Sequence, residues 1–462
     1  MPDGDWRTGL LAGVALSAAD PGDRNPIGWP GYRPRAALSW GPGELGGHPI
    51  VAVSFDFEVL GGSFGEADAT GFGSACALAA DGGLPLVSVA RSGGTRLQEG
   101  MAALVGIPRA ALALERLAAA RVPHLSVADH PTTGGVWIAV VSAADLRIGV
   151  AGATVGFSGP RVTEALTGEI PPAGSHTAEA AHRAGLLDAV CSGDQVAGWL
   201  TRALDALAPG TGPAGAPPAD HDPPARGGWA QVRHARDANR PAGAALLRRL
   251  LGGTVELAGA DTTVTAVLGR TAGGRPVIGV AVATDRGGRP TPAGYALLGR
   301  AARLADRLDR PLLTLVDTPG ADPGADSEAA GIAPRIAEAL AGVLGCRSPT
   351  LAVVHGEGGS GGALAAAACD EVLVTDTGYF TALAPEGAAS ALHLDPAAAA
   401  DAAGLTPAAL RQLGFGRPVA TGPLPQTVAA ILDRLAGQPG PDRLAGRQRR
   451  WSQPLPGTLT GA

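Results

Sequence analysis

The sequence contains no lysine, so arginine and histidine supply every basic side chain among its 462 residues. Charged residues make up only 17% of the chain, and the net charge at pH 7 is −6. This balance provides no basic surface for nucleic acid or for an anionic membrane, and neither is predicted as a partner. Any phosphate contact must come from arginine or from backbone N–H groups.

Cysteines are few and scattered, and no two of them form a CxxC pair. They are Cys76, Cys191, Cys346 and Cys369. This spacing argues against a zinc ribbon and against a disulfide scaffold, so no metal site is predicted. Reduced cysteines are typical of the cytoplasm, which is the predicted location.

Long apolar runs are also missing. The longest run, VWIAVVSAADLRIGV, is interrupted by Asp145 and Arg147, so no membrane span is expected. The N-terminal segment resembles a signal peptide only faintly, because Asp3 and Asp5 occupy its basic region.

Glycine and proline, by contrast, are abundant. The chain has 70 glycines, 39 prolines and only 4% aromatic residues, so its cores must be built from alanine, valine and leucine around many tight turns. The length allows two to three domains.

An internal repeat organises the sequence. Five landmarks of the first half recur in the second half at offsets of 225 to 227 residues: Pro49 and Pro276 (276 − 49 = 227), Pro85 and Pro311 (226), Pro123 and Pro349 (226), the pairs Gly134-Gly135 and Gly361-Gly362 (227), and Pro160 and Pro385 (225). Short β-branched segments alternate in each copy with alanine- and leucine-rich helical segments. This pattern predicts two tandem α/β domains of repeated ββα units.

The segment APGTGPAGAPPADHDPPARGG separates the copies and is too rich in proline and glycine to build a core. We expect the arginine-rich end of the chain to be loosely ordered. The predicted organisation is an arm at 1–44, a first domain at 45–206, a linker at 207–228, a second domain at 229–438 and a tail at 439–462.

The stretch HGEGGSGGALA fits two known fingerprints. The dinucleotide motif GxGxxG begins at Gly356, with an acidic residue 20 positions on at Asp376, and the nucleophile motif GxSxG centres on Ser360. The surrounding sequence weakens both assignments. The helix after the turn is short for a dinucleotide domain. A serine hydrolase needs a histidine after its nucleophile, and His393 is the only histidine downstream of Ser360.

The first copy, HPTTGGV, keeps neither fingerprint but retains two glycines at the predicted helix start. Such a pair leaves two backbone N–H groups open to a ligand, reinforced by the helix dipole, as in an oxyanion hole. The alternative is close packing of helix on strand. The candidate catalytic residues are Gly134, Gly135, Gly361 and Gly362.

At these residues the sequence resembles the carboxyltransferase component of biotin-dependent acyl-CoA carboxylases, of the bacterial acetyl-CoA carboxylase type. The first half is similar to its β subunit in FDFEVLGGSFGE, SGGTRLQEG, DHPTTGGV and VGFSGPRV. The second half is similar to its α subunit in WAQVRHARDANRP, TPAGY, VDTPGADPG, GEGGSGGALA and APEGAAS.

The resemblance implies two crotonase-like domains that move CO2 from carboxybiotin to the α-carbon of an acyl-CoA, with acetyl-CoA and malonyl-CoA in fatty acid biosynthesis as the expected pair. Gly134 and Gly135 would hold the thioester oxygen, and Gly361 and Gly362 the biotin oxygen. The freed biotin nitrogen would act as the base. Acyl-CoA would also be bound by Ser92, Gly93, Gly94 and Arg96, although Arg96 equally suits a structural ion pair.

The resemblance also implies partners: a biotin carboxyl carrier protein, a biotin carboxylase, and a second copy of the chain in a homodimer or larger oligomer. The sequence departs from the family in two places. The β subunit's four-cysteine zinc ribbon has no match, and a basic segment before the TPAGY motif reads TDRGGRP. A decarboxylase of malonyl-type thioesters and a noncatalytic scaffold are the alternative functions.

Overall fold

Residues 6–210 and 220–459 are described in the computed structural model of the protein. Part of the predicted linker, 211–219, lies outside the described residues. The chain divides into two units, Met1–Asp205 and Ala206–Ala462, with the division inside the last turn of one helix.

The first unit contains one mixed sheet in the order β1-β2-β3-β4-β5-β6-β8, with β7 paired to β5. The strands β1 to β3 pair antiparallel, and the strands from β3 onward pair parallel. The bounds are β1 Ser17–Ala18, β2 Leu38–Leu45, β3 His48–Phe55, β4 Leu86–Ser92, β5 His124–Thr133, β6 Leu146–Val150, β7 Val155–Gly156 and β8 Ala189–Cys191.

Helices connect these parallel strands, as a parallel sheet requires. The bounds are α1 Trp6–Leu11, α2 Glu66–Gly82, α3 Met101–Leu104, α4 Gly106–Ala119, α5 Gly134–Val136, α6 Pro160–Thr167, α7 Ala178–Arg183 and α8 Gly193–Leu207. Two 3-10 turns cover Leu60–Gly62 and Leu97–Glu99, and α5 continues as a π-helical turn, Trp137–Val141. The core between sheet and helices includes Val53, Phe72 and Leu117.

The second unit repeats this plan. Its sheet has the order β15-β14-β13-β12-β11-β10-β9, antiparallel from β9 to β11 and parallel from β11 to β15. The bounds are β9 Gly252–Leu257, β10 Val264–Arg270, β11 Pro276–Val282, β12 Leu312–Thr318, β13 Thr350–Gly358, β14 Glu371–Thr375 and β15 Arg417–Val419.

Eleven helices accompany this sheet among the described residues. They are α9 Gly228–Ala235, α10 Gly243–Leu250, α11 Pro292–Leu308, α12 Ala325–Ala329, α13 Ile332–Gly345, α14 Ser360–Ala367, α15 Pro385–Leu392, α16 Pro396–Ala402, α17 Pro407–Gln412, α18 Leu424–Ala436 and α19 Gly440–Ser452. The buried cluster Leu247, Val277, Leu313 and Ile431 joins α10 and α18 to the strands.

The sequence repeat is visible in the hydrogen-bond register of both sheets. Ser92 pairs with Thr132 after an irregularity in β4, and Thr318 pairs with Gly358 after the same irregularity in β12. Both pairs are related by 226 positions (318 − 92 and 358 − 132). Helices α2 and α11 are also 17 residues each and start 226 positions apart.

Residues 440–452 of the predicted tail form helix α19, so the expectation that this segment is loosely ordered is wrong. Helix α19 docks on the second unit through Arg447, which is only 2% exposed and pairs with Asp370 at 2.7 Å. The Arg447 guanidinium also donates to the carbonyl oxygens of Val343 and Ser348. The arginines of this segment therefore satisfy buried acceptors, a use that composition does not reveal.

The predicted arm is also partly structural, because β2 begins at Leu38 and lies within the first sheet. No helix in 6–210 or 220–459 is long and apolar enough to cross a membrane.

Candidate functional site

In the first unit, the two glycines predicted to donate backbone N–H groups lie at the start of α5. Gly134 has φ of 60°, the left-handed region that favours glycine, and Gly135 is buried. Thr133 precedes them at the N-cap position, yet its side chain makes no cap hydrogen bond and instead reaches the carbonyl oxygen of Ser92 at 3.5 Å. The first-turn N–H groups are therefore left without a side-chain cap.

The second unit has the same turn at the start of α14. Its N-cap residue is Gly359, which has no side chain to cap the helix, and Ser360 takes up φ of 65°. Gly361 follows and is exposed, whereas Gly362 is buried. Helix α14 thus also begins with N–H groups that no side chain caps, where the helix dipole favours negative charge.

The helix starts revise one landmark of the repeat. Gly134 and Ser360 are 226 positions apart and share a left-handed backbone, so Gly135 corresponds to Gly361. The sequence repeat predicts Gly134-Gly135 opposite Gly361-Gly362, at an offset of 227 residues, because a comparison of residue types pairs glycine with glycine. The four glycines remain the candidate oxyanion donors, one step out of register between the copies.

A glycine turn lies beside each helix start. In the first unit, the Ser92 hydroxyl accepts a hydrogen bond from Gly94 N at 3.1 Å, and a β-carbon on Gly94 would lie 3.5 Å from Gly134 Cα. Gly93, the third residue predicted on the acyl-CoA side, is exposed, and its N–H donates to Gly61 O.

The second unit builds an equivalent turn from different residues. The Thr318 hydroxyl accepts from Gly320 N at 3.1 Å, and a β-carbon on Gly320 would lie 3.5 Å from Gly359 O. Gly94 and Gly320 both have positive φ, 110° and 135°. Thr318 and Gly320 were not predicted as site residues, although the match of VARSGG with LVDTPG contained the signal.

Tyr295 explains why position 362 is a glycine. A β-carbon on Gly362 would lie 2.4 Å from the Tyr295 hydroxyl and 2.8 Å from Ala321 N. The hydroxyl is buried and has no hydrogen-bond partner among the described residues, and burial raises the pKa of this phenol. In the first unit the corresponding position of α2 holds Ala69 (295 − 69 = 226), so only the second unit has a hydroxyl here.

Arg96, the arginine considered for a CoA phosphate, is fully buried within the first unit. Its guanidinium pairs with Asp68 at 2.7 Å and Glu99 at 3.3 Å, and it donates to the carbonyl oxygen of Arg35 at 2.6 Å. This arrangement supports the structural ion pair that the sequence left open as its alternative.

A buried ion pair is hydrogen-bonded to the backbone of the turn before α14. Arg240 binds Asp317 in a bidentate manner at 2.7 and 2.9 Å, and the same carboxylate accepts from Glu357 N at 3.0 Å. The first unit has Pro131 in place of Glu357 (357 − 131 = 226) and so offers no such N–H. There Arg91, at the position of Asp317, donates to His130 O at 2.8 Å instead.

Glu357 connects the glycine turn to two other motifs of the second unit. Its carboxylate accepts from Arg236 at 2.8 Å and from the Tyr379 hydroxyl at 2.6 Å. Arg236 also contacts Glu386 at the start of α15. Side chains from RHARDANRP, GEGGSGG and APEG thus form one hydrogen-bonded group.

Asp376, the acidic residue of the dinucleotide hypothesis, has a partner within the protein. The Asp376 carboxylate lies 2.7 Å from His221 Nε2, and its carbonyl oxygen accepts from Gln231. Within 6–210 and 220–459, no group of three or more His, Cys, Asp and Glu side chains is arranged to hold a metal ion.

Comparison with known proteins gives a consistent family. Residues 227–415 match the model of acetyl co-enzyme A carboxylase carboxyltransferase-like proteins. The chain is 37% identical over 417 residues to the acetyl-coenzyme A carboxylase carboxyl transferase subunits beta/alpha of Salinispora tropica, covering 84% of this chain and 74% of that protein. It is 35% identical over 438 residues to a biotin-dependent acyl-coenzyme A carboxylase beta3 subunit of Mycobacterium tuberculosis, covering 90% and 88%.

Solved structures agree with the fold. Transcarboxylase 12S, crystallised as a hexamer with methylmalonyl-coenzyme A and methylmalonic acid bound, superposes with a TM-score of 0.78 at 22% identity over 99% of this chain and 91% of that one. A single-chain, multi-domain long-chain acyl-CoA carboxylase gives a TM-score of 0.69 at 19% identity over 92% of this chain and 44% of that one. The predicted fold, two tandem crotonase-like domains, is confirmed.

Proposed function

The chain belongs to the biotin-dependent acyl-CoA carboxyltransferases, and on that basis we propose that it carboxylates acetyl-CoA to malonyl-CoA. The carboxyl donor in this family is carboxybiotin. In the proposed reaction the α-carbon of the thioester loses a proton and forms a bond to the carboxyl carbon, while the bond from that carbon to the biotin nitrogen breaks. The freed nitrogen takes the proton, which balances the exchange.

Two oxygens gain negative charge in this exchange: the thioester oxygen as the enolate forms and the ureido oxygen of biotin as CO2 leaves. Backbone N–H groups fixed in a turn stabilise such charge without reorganising, and removing one donor of this kind costs about 2.7 to 4 kcal/mol. We assign the thioester oxygen to Gly134 and Gly135, and the biotin oxygen to Gly361 and Gly362.

The observation that carries this proposal is the repetition of one unusual turn. Gly134 and Ser360 have nearly the same positive φ, each begins a helix without a side-chain cap, and each is flanked by a Ser- or Thr-braced glycine turn. Close packing alone does not require uncapped helix starts, whereas two developing oxyanions do.

Substrate and partners complete the proposal. The motif wording of both halves is closest to the acetyl-CoA carboxylase type, and we propose acetyl-CoA as the substrate of a cytoplasmic enzyme of fatty acid biosynthesis. A separate biotin carboxyl carrier protein and a biotin carboxylase would supply carboxybiotin. The chain would act as a homo-oligomer, as the solved transcarboxylase 12S does in its hexamer.

A carboxyl-transfer assay tests the activity. The protein is incubated with labelled carboxybiotin, free or on carrier protein, and with acetyl-, propionyl- or longer acyl-CoA, and label in the acyl-CoA is measured. Transfer that is fastest with acetyl-CoA supports the proposal. Transfer that is fastest with another acyl-CoA contradicts the substrate, and biotin-independent CO2 release from malonyl-CoA contradicts carboxyl transfer itself.

A further inference from the structure

The second unit contains a cavity of about 490 Å³ that the proposed reaction does not use. It lies between the loop at 237–241, helix α10, the ends of β13 and β14, and the start of α18. Its volume falls in the range of small-molecule sites, about 300 to 1,000 Å³.

One part of the cavity wall is aliphatic. Helix α10 contributes Leu246 and Leu250, α18 contributes Leu424, and the prolines are Pro241 and Pro425. The three leucines are at most 5% exposed. A ligand that fills this space must present an apolar body, since a polar one would lose its hydration without compensation.

Polar groups are concentrated elsewhere on the wall. The exposed Arg249 is a cationic member, whereas burial and the nearby Arg226 lower the pKa of the half-buried His234 and disfavour its charged form. Asp237 is the acidic member, and its carboxylate accepts from Asn239 N at 2.8 Å and Asn239 Nδ2 at 3.1 Å. Arg240 also lines the cavity, but its guanidinium is already matched by Asp317. Arg249 is therefore the cation that this wall offers to a ligand, and it suits an anion.

His355 adds a second, independent observation. Arg240 Nη1 lies 3.2 Å from His355 Nδ1, and a guanidinium can only donate, so Nδ1 accepts and the proton of the neutral ring resides on Nε2. That Nε2–H group has no acceptor among the described residues, although His355 is only 2% exposed. A buried donor without an acceptor is rare and indicates a missing partner.

We propose that this cavity is a second ligand site that binds an amphipathic monocarboxylate of medium chain length. The aliphatic chain would pack on Leu246, Leu250 and Leu424, and the carboxylate would face Arg249 and supply the acceptor that the Nε2–H group of His355 lacks. The site would be distinct from the glycine turns at which we place the reacting groups.

The site has a physical connection to the turn before α14. The Thr377 hydroxyl, on the cavity wall, donates to the carbonyl oxygen of His355 at 2.8 Å, and Asp317 links Arg240 to Glu357 N. His355 precedes the GEGGSGG turn directly. A ligand that shifts this wall would therefore also shift the segment that leads into Gly361 and Gly362.

Binding is tested by calorimetric titration of the full chain with sodium octanoate, with octanol and octylamine as uncharged and cationic probes of the same chain length. We expect saturable binding of octanoate with a dissociation constant below about 1 mM, and at least tenfold weaker binding of octylamine. No saturable octanoate binding up to about 5 mM, or equal binding of all three probes, would overturn the proposal.

Variants locate the site. Leu250→Trp should fill the cavity and weaken octanoate binding at least tenfold, whereas Leu392→Trp, on exposed α15, should leave it unchanged. Because a buried substitution can impair folding, Arg249→Gln provides a second route: this exposed change should weaken octanoate at least fivefold and leave octanol unaffected. Equal octanoate affinity in the wild type and Arg249→Gln would place binding elsewhere and refute the assignment.

Discussion

Ser360 has the same left-handed backbone as Gly134, with φ of 65° against 60°, at a position 226 residues further along the chain. A residue with a β-carbon pays about 1–2 kcal/mol for this conformation, which glycine does not. The second copy has the same turn although a serine stands where glycine would adopt it most easily. The geometry of the helix start is therefore what the two copies share.

Replacing Ser360 by glycine should stabilise the second unit. Relief of the strained φ outweighs the extra entropy of glycine in the unfolded chain, so we expect the free energy of unfolding to rise by up to about 1 kcal/mol. Chemical denaturation of wild type and S360G measures this change. Ser360→Val is the control, because a β-branched residue disfavours positive φ and should lower the free energy of unfolding. Equal free energies of unfolding for S360V and S360G would contradict strain at this position.

The two glycines of the α14 turn should respond differently to alanine. A β-carbon on Gly361 meets no atom within 4 Å, whereas one on Gly362 meets the Tyr295 hydroxyl at 2.4 Å and Ala321 N at 2.8 Å. We expect Gly362→Ala to lower the carboxyl-transfer rate at least a hundredfold, because the clash would displace the N–H group of residue 362. Gly361→Ala should change the rate less than fivefold, because alanine fits there and keeps the backbone N–H in place. Comparable losses in both variants would show that space at position 362 is not the constraint.

Tyr295→Phe removes a buried hydroxyl that has no partner among the described residues. Loss of an unsatisfied polar group should raise the thermal midpoint, or leave it unchanged, since such a group costs about 1–3 kcal/mol. The same change should partly restore activity to Gly362→Ala, because it removes the nearer of the two clashing atoms. A lower midpoint in Tyr295→Phe would reveal a hydrogen bond that this account lacks.

Arg96 should matter for stability and not for CoA affinity. Its side chain and that of Asp68 are both fully buried, so Arg96→Met leaves a buried carboxylate short of its partner, at a cost of about 3–5 kcal/mol. Urea denaturation measures this loss. Carboxyl-transfer rates of the folded fraction, measured at a series of acyl-CoA concentrations, should give an unchanged KM. A normal midpoint with a raised KM would return Arg96 to the CoA site.

Acid should destabilise the second unit through His355. Burial is the main cause that lowers the pKa of this imidazole to about 4, with Arg240 acting in the same direction and Asp317 against it. The unfolded ring binds its proton near pH 6.5, so the folded state holds fewer protons between pH 6.5 and 4, and stability falls as the pH falls through that window. The full effect amounts to about 3 kcal/mol. Denaturation at pH 6.5 and pH 4 should show a smaller decline in the free energy of unfolding for His355→Phe than for the wild type. An identical decline in both proteins would exclude His355 as the source.

Much of this architecture was predictable because it is periodic or repeated. The repeat fixed two α/β domains, and the glycine pairs pointed to the starts of α5 and α14. The register of those pairs was not predictable, because Ser360 adopts a backbone that its side chain disfavours. The fold imposes this conformation through Pro319 and Thr381, whose backbones contact Gly359 and Ser360.

Composition also misled in one place. The arginine-rich segment after Gln438 resembles a solvated tail, yet its arginines point inward to Asp370 and to carbonyl oxygens at the end of α13. The hydrogen bonds of Asp317 and Arg91 to the turns were also not predictable, because their partners are distant in sequence. In the first unit the difference depends on Pro131, which has no N–H to donate. Long-range hydrogen bonds of this kind have no local signal.

We propose above all that this chain moves a carboxyl group from biotin to an acyl-CoA through two N–H sites. The most direct measurement is the rate of label transfer from carboxybiotin to acetyl-CoA in the wild type, Gly361→Ala and Gly362→Ala, with folding verified for each. We predict biotin-dependent formation of labelled malonyl-CoA that persists in Gly361→Ala and is lost in Gly362→Ala. Absence of label transfer from the folded wild type to any acyl-CoA would contradict the account.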